Sequence, residues 1–470
     1  MNGATSGQPE PTDLLTRWWL VLAVAALFSA VFYAYEHQPE MYAGGARSGV
    51  SEAKLKDSFV DQQAAGSAVR RLSMLAFAGA GVLLGMRVRD RPWSVSTLGV
   101  AALVLLLLWS GFSATYSDNP GLSLRRLAAA LLVVFGCVGF ARVLRPHEIV
   151  SVALVSLTGL IALSLTIDVA AGGRPWAGGE RFGGTLHANS QAMYCGLLCL
   201  AAVTQPVGFG SRWMTRSLLV AGLVAMVLTR SRTGLIAVVA SLIITWVVTL
   251  SARVRLIGVA VVLSGAALML VAVSSSSTGQ RAQLRDAVLM GRTEQAGSLT
   301  GRVPLWEELM GYVAKRPLTG YGFEAFWTPR RMDLVMKSQG WALQSAHNAY
   351  LEVTLQIGLI GMALASVFVI VCTMRLQGAV ELTRNPGYAF AIGAIFLALL
   401  DSLLQSHFNA VSYPTVLALT PMLSATLFYP GGAGVGSAVS RPSRRRPVAL
   451  GSSAARITPR LARPSLSNDA

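Results

Sequence analysis

Charged side chains are scarce in this chain. They make up 13% of its 470 residues, against 53% hydrophobic. An ordinary globular protein carries roughly twice that charged share, so a water-soluble domain is excluded. Acidic residues are the scarcer sign, 22 Asp and Glu against 39 Lys and Arg, for a net charge of +17. Such a balance suggests nucleic acid. The basic residues, however, sit in short clusters between apolar runs and in the tail, with no aromatic-basic face to follow a phosphate backbone. Cysteine is sparse too: Cys137, Cys195, Cys199 and Cys372 all lie inside apolar runs. Cys195 and Cys199 are one helical turn apart, but no second pair or His cluster completes a metal site. They read as small apolar packers, and no disulfide framework is implied. The first apolar run follows Arg17 without a small-residue cleavage site and reads as a retained anchor. No internal repeat divides the chain into similar halves.

What abounds is apolar length. Runs at 18–35, 72–88, 93–112, 124–143, 149–171 and 189–206 are followed by runs at 213–228, 233–250, 254–274, 346–374, 387–404 and 414–429. Twelve spans of ~20 residues use about 240 residues. The expected fold class is an all-α polytopic membrane protein of about 12 transmembrane helices, with a large extracytoplasmic loop between spans 9 and 10. The positive-inside rule sets the orientation. With a cytoplasmic N-terminus, the inner connections hold Arg87/Arg89/Arg91, Arg142/Arg145, Arg212/Arg216, Arg253/Arg255 and Arg375/Arg384. The two long connections then fall outside, where length overrides charge. The expected organisation is a cytoplasmic N-terminus (1–17), spans 1–9 (18–274), an extracytoplasmic loop (275–345), spans 10–12 (346–429) and a disordered, basic cytoplasmic tail (430–470). The tail arginines anchor topology or touch anionic lipid heads.

The informative charges are those the rule does not want. Arg125/Arg126 follow Ser117-Asp118-Asn119-Pro120, Arg174 and Arg181 precede His187, and Arg230/Arg232 stand in Thr-Arg-Ser-Arg-Thr. Residues 213–250 number 38, or ~57 Å as one helix, nearly double the ~30 Å hydrocarbon core. The chain must therefore turn near Arg230, which brings two guanidinium groups to the outer surface. Charge there is either functional or snorkels to lipid phosphates. In the long outer segment, Pro304 predicts a helix start. Leu305, Trp306, Leu309, Met310 and Val313 then form one face of an amphipathic lid lying in the interface plane, ended by Pro317. Phe323, Phe326 and Trp327 read as interface anchors, with sugar-stacking platforms as the alternative. His347 stands at the outer edge of the tenth span, where an imidazole exchanges protons with a hydroxyl near neutral pH. Asn348 and Glu352 are four apart and share a helix face. A structural hydrogen-bonding role for His347 is the competing reading.

Several segments together now resemble a known family. They are Trp109-Ser with Pro120 and Ser123-Leu-Arg125, Gly183-Gly184 leading to Asn189, Ser231-Arg232-Thr-Gly234, Gly301-Arg302 with Trp306, Pro317-Leu-Thr-Gly320-Tyr-Gly322, and His347-Asn348-Ala-Tyr350-Leu with Gly358 and Gly361. The pattern, over roughly residues 95 to 430, resembles the O-antigen ligase and Wzy-type polymerase superfamily, and within it the exopolysaccharide-production branch. The resemblance implies a GT-C-like membrane fold and glycosyl transfer without metal or cofactor, at the outer face of the bacterial inner membrane. The implied donor is an oligosaccharide on polyprenyl diphosphate, the acceptor a glycan or the lipid A core. It also implies that His347 activates the acceptor hydroxyl and that Arg232 (with Arg230 beside it) and Arg302 hold the diphosphate. Arg125 and Arg181 are added as diphosphate ligands from their outer-loop position, with Asn189, Asn348 and Glu352 as supporting polar groups. Relatives often have an Asn-Pro-Asn-like run where this chain has Leu186-His187-Ala188-Asn189, so His187 is left open.

The chemistry agrees with the resemblance. A leaving diphosphate gains negative charge, and guanidinium forks aimed at it form a preorganised clamp. The outer connections hold no Asp-x-Asp pair for a metal. Membrane lipids and a chain-length regulator complete the expected partners; nucleic acid is not among them. Polymerase, ligase and transfer to a protein acceptor stay open. From another class, a transporter or lipid-linked oligosaccharide flippase shares the twelve-span layout, but such proteins show two related halves and a central cytoplasmic connection.

Overall fold

The computed structural model describes residues 11–44, 68–87, 93–177, 180–205, 211–250, 298–343, 345–406 and 411–429. The helices, in chain order, are α1 (Pro11–Glu36), the single turn α2 (Pro39–Tyr42), α3 (Ala68–Arg87), α4 (Thr97–Phe112), α5 (Pro120–Val143), α6 (Pro146–Ala170) and α7 (Ala188–Thr204). They continue as α8 (Arg212–Thr229), α9 (Arg232–Thr249), α10 (Ser298–Lys315), α11 (Pro329–Gln339), α12 (Ala349–Thr383), α13 (Pro386–Asp401) and α14 (Tyr413–Leu427). No strand occurs among the described residues. The expected ninth span (254–274) and the basic tail (430–470) lie outside them.

Local chemistry sets the helix ends. Asn119, Ser211, Ser231, Thr328, Asn348 and Ser412 each accept a bond from the first turn of the helix they precede, relieving donors that have no partner within the helix. Proline occupies the first turn at Pro120, Pro146, Pro329 and Pro386, where its missing N–H costs nothing.

Among the described residues, eight helices are long and apolar enough to cross a membrane: α1, α3, α4 with its 3-10 extension, α5, α6, α8, α9 and α12. Expected spans 6, 11 and 12 correspond to the shorter helices α7, α13 and α14. Large side chains such as Trp19, Leu72, Leu83, Met86, Leu108, Val227, Ile236, Trp246 and Met374 lie more than half exposed around the bundle. That much open apolar surface suits lipid and not water. The chain is thus an all-helical polytopic membrane protein.

Inside the bundle, α3 and α5 meet through glycine. A Cβ on Gly81 would stand 2.5 Å from the Gly136 carbonyl oxygen, and one on Gly139 would strike Gly81. This is small-residue packing, which lets apolar helices approach where water supplies no drive. Phe28, Phe32, Phe77, Phe140 and Tyr413 fill the adjoining core edge to face and stacked. All four cysteines are buried and free, as expected of packers.

One end of the bundle gathers most of the residues singled out above. The ends of α1, α6 and α8 and the starts of α5, α7, α9 and α12 meet there, with the end of α13. Backbone bonds tie them: Gln38 to Thr185, Phe182 to Leu228 and Ala349 to Ser402. The opposite end holds Arg17 paired with Glu148, Arg142 over Trp93 and Arg375 over Tyr429.

The long connection forms a small body on the first of these ends. Leu305, Leu309, Tyr321, Phe326, Trp327, Met332, Val335, Met336, Leu343 and Leu355 make its core. Three expectations change here. Helix α10 begins at Ser298, so Pro304 falls inside it and not at its start. Phe326 and Trp327 are not interface anchors, because they are buried in this core. The apolar face of α10 likewise turns onto α11 and α12 rather than lipid, with only Met310 largely exposed. Periodicity shows that a face is apolar; it does not say what covers it.

Candidate functional site

The first cluster forms where α8 turns into α9. Thr229 caps the turn by accepting from Ser231 N–H at 3.2 Å. Arg230 takes a left-handed φ of 49°, and Ser231 opens α9. The 38-residue apolar run therefore breaks where its length required. Arg230 donates to Ala177 O at 2.7 Å. Arg181 donates to Thr229 O at 3.0 Å and to Asn189 Oδ1 at 2.7 Å. Asn189 thus belongs to the cluster, while His187 serves as cap of α7, its Nδ1 accepting from Asn189 N–H. Arg232 stands in the first turn of α9, half-buried. Gly234 keeps that turn against α7, where a Cβ would sit 2.9 Å from Ala192 Cβ.

His347 occupies a second cluster at the same end. Its φ of 50° is left-handed, a conformation that a non-glycine residue holds only when its surroundings enforce it. Here they do. Glu352 accepts from the Ala346 backbone N–H at 2.8 Å through Oε2 and from Trp327 Nε1 at 2.6 Å through Oε1. Trp306 Nε1 donates to Ala346 O at 2.8 Å. The imidazole stacks on Trp341, with centroids 5.7 Å apart and planes 27° apart. Asn348 caps α12 by accepting from Leu351 N–H, and its amide donates to Leu403 O. Glu352 and Asn348 are thus structural supports of the His347 turn, though not on one helical face as expected, since Asn348 stands outside the helix. Arg302 lies one turn before Trp306 on the same face of α10, half-buried and in the field of Asp401. Burial pushes its guanidinium pKa down, and Asp401 opposes that shift. Asp401 adjoins Ser402, whose carbonyl accepts from Ala349 N–H. Arg302, Asp401 and His347 therefore surround one corner.

Three of the family-like motifs turn out to build one joint. Helix α12 is broken at Gly358 (φ 68°, ψ −174°), and the Pro317–Gly322 loop plugs the break. Tyr321 and Gly322 N–H donate to Leu355 and Gln356 O at 2.9 and 2.8 Å, while Pro317 O accepts from Leu359 N–H at 2.9 Å. Trp109 Nε1 donates to Ile357 O at 2.8 Å. A helix interrupted near lipid needs such partners, because unsatisfied backbone costs several kcal/mol there. Trp109, the Pro317–Gly322 loop and Gly358 thus serve architecture.

The loop before α5 fastens the outer body. Asp118 accepts from Arg331 and pairs with Arg316 at 3.7 Å, and Arg331 also lies over the faces of Tyr321 and Phe326. Arg125 is exposed, its Nε donating to Gly121 O. Its neighbour Arg126 does the engaging, paired with Glu324 at 3.1 Å. Burial pushes the Glu324 carboxyl pKa up, and Arg126 beside it pulls it back. Glu324 and the Tyr35–His37 stretch are polar groups that the sequence did not single out. The available signal was an acid and a histidine at the very end of an apolar run. Among the described residues, no three His, Cys, Asp or Glu side chains gather as a metal site would need.

An all-helical membrane bundle with an arginine turn and a braced histidine at one end defines a polytopic membrane protein. Residues 217–366 match the family model described as O-antigen ligase, a glycosyl-transfer class that supports the resemblance read from the motifs. The matched stretch holds Arg230, Arg232, Arg302, His347, Asn348 and Glu352; Arg125, Arg181 and Asn189 precede it. No curated protein matches the sequence.

Proposed function

We propose that the protein is a glycosyltransferase of the bacterial inner membrane, with both termini cytoplasmic and about twelve spans. It moves an oligosaccharide from polyprenyl diphosphate to a glycan acceptor at the outer face, polymerising exopolysaccharide or O-antigen repeat units. The observation that carries this reading is the enforced left-handed turn of His347, at the bundle end where Arg181, Arg230 and Arg302 also lie. In the reaction the acceptor hydroxyl oxygen bonds to the anomeric carbon and its proton passes to the His347 imidazole. The bond from that carbon to the diphosphate oxygen breaks, and polyprenyl diphosphate leaves with the electron pair. Guanidinium contacts to that leaving group are worth ~1.5–3 kcal/mol each, and a general base contributes about 10²–10⁴-fold.

The O-antigen ligase description of the matched family favours a second reading, single transfer to the lipid A core. Reconstitution with lipid-diphosphate donor in the presence of a chelator separates the two. A ladder in repeat-unit steps supports polymerisation, and one-step attachment to lipid A core supports ligation. Substrate crossing the bilayer with no new glycosidic bond, or product yield unchanged in His347→Ala, overturns both.

A further inference from the structure

Trp341 enters none of the steps written above, yet several contacts serve to place it. The end of α11 is tied to α10, because Ser338 Oγ and Gln339 Nε2 both donate to Glu308 Oε2, at 2.5 and 2.7 Å. Gly340 then turns the chain at φ 77°, its N–H donating to Met336 O at 3.0 Å, a left-handed helix cap. The next residue, Trp341, packs half-buried against the core of the outer body, and Leu343 two positions on is buried within it. The same body holds the histidine. Ala346 is bonded through its N–H to Glu352 and through its carbonyl to Trp306, and the left-handed turn of His347 follows directly. Two rings six positions apart are therefore fixed separately, one by α10 and α11, the other by α10 and α12. They meet with centroids 5.7 Å apart and planes 27° apart, an offset stack within the ~4.5–7 Å range in which aromatic rings attract.

Bracing the backbone does not by itself aim an imidazole. The last torsion of a histidine side chain is broad and roughly two-fold, and it decides where the ring nitrogens point. A flat neighbour against one face removes that freedom, because rotation out of the stack breaks the contact. The stack also gains strength as the reaction proceeds. An imidazole that takes the acceptor proton becomes a cation, and the negative face of an indole attracts a cation within ~6 Å of its centroid. An interaction that is stronger in the transition state than in the ground state raises kcat and leaves substrate binding alone.

We propose that Trp341 is a positioning residue for His347: its indole sets the plane of the imidazole and stabilises the imidazolium formed when the acceptor hydroxyl gives up its proton. This rests on the glycosyl-transfer reading above. The bonds made and broken are those already written, and Trp341 exchanges no atom or electron.

The test uses the full-length protein in proteoliposomes, with lipid-linked repeat unit extracted from producing cells as donor and the delipidated repeat-unit oligosaccharide as acceptor. Trp341→Leu keeps apolar bulk but has no π face. It is expected to lower kcat about tenfold or more while the acceptor KM stays within about threefold, since a misaimed group loses rate and not affinity. Trp341→Phe keeps a face and should hold kcat within about threefold of the wild type. Wild-type kcat in Trp341→Leu, or Trp341→Phe no faster than Trp341→Leu, overturns the role. So does a rise in acceptor KM at constant kcat, which would make the indole a sugar platform. Should Trp341→Leu fail to fold by thermal melting, Trp341→Gln carries the same expectation and the same refutation. NMR of detergent-purified protein isotope-labelled at histidine Cε1 separates this proposal from the reaction itself. The His347 signal, assigned by its loss in His347→Gln, should be displaced by the indole ring current and move toward that of an unstacked histidine in Trp341→Leu. That movement upholds the placement even if the wild type forms no glycosidic bond, and an unmoved signal sinks it.

Discussion

Replacing Gly358 by alanine tests whether the joint in α12 is built as described. At φ 68° and ψ −174° the backbone occupies a region open essentially only to glycine, and holding another residue there costs about 1–3 kcal/mol. The added Cβ would also stand 2.1 Å from Leu318 O and 2.5 Å from Thr319 N. Both are backbone atoms, so the Pro317–Gly322 loop must withdraw as a unit. Withdrawal breaks the bonds from Tyr321 and Gly322 to α12 and from Leu359 to Pro317, each worth about 1 kcal/mol net. Together the loss comes to about 4–6 kcal/mol, which should lower the melting temperature in detergent by several degrees. Gly311, in α10, is the control, since a Cβ there meets nothing within 4 Å. Gly311→Ala should leave the melt unchanged or raise it slightly, as helix propensity favours alanine by about 1 kcal/mol. If Gly358→Ala melted within a degree of the wild type, the broken helix and its plug would be wrong.

Two further outcomes follow from buried groups. Glu352→Ala leaves the Trp327 indole N–H and the Ala346 N–H without their acceptor, costing about 1–3 kcal/mol for each. It should abolish product formation by releasing the His347 turn, whereas retained activity in membranes would show that the turn needs no brace. His37, just beyond α1, is pulled down by burial from 6.5 to about 4. Between those values the unfolded chain binds a proton that the folded one refuses. Stability is therefore complete above pH about 6.5 and is lost as pH falls toward about 4, by about 3 kcal/mol at most. Melts at pH 7 and pH 4.5 should show the loss, with a flatter profile in His37→Gln; equal slopes would remove His37 as its source.

Much of the bundle was legible because lipid imposes simple rules. A segment must satisfy its own backbone and be long enough to cross. Apolar length alone therefore located the helices and required the turn at Arg230. The site was legible where a residue violated those rules. Arg230 and His347 stood out at the edges of apolar runs, Arg181 in an outer connection that the charge rule does not favour, and Arg302 only through the family-like motif; all four lie at one end of the bundle. Arg125 drew attention equally with Arg126, since charge at adjacent positions cannot say which side chain turns inward. The helical phase and the loop packed against it settled that in favour of Arg126.

The primary sequence, then, determined the helices, their caps and the surplus of arginine, because these depend on residues within a turn or two of one another. Tertiary structure alone decided that Phe326 and Trp327 are core, that Trp109 and the Pro317–Gly322 loop mend a broken helix, and that Glu324 faces Arg126 across almost 200 positions. Burial and pairing are properties of what packs against a side chain, and for these residues every partner but their immediate neighbours arrives from elsewhere in the chain.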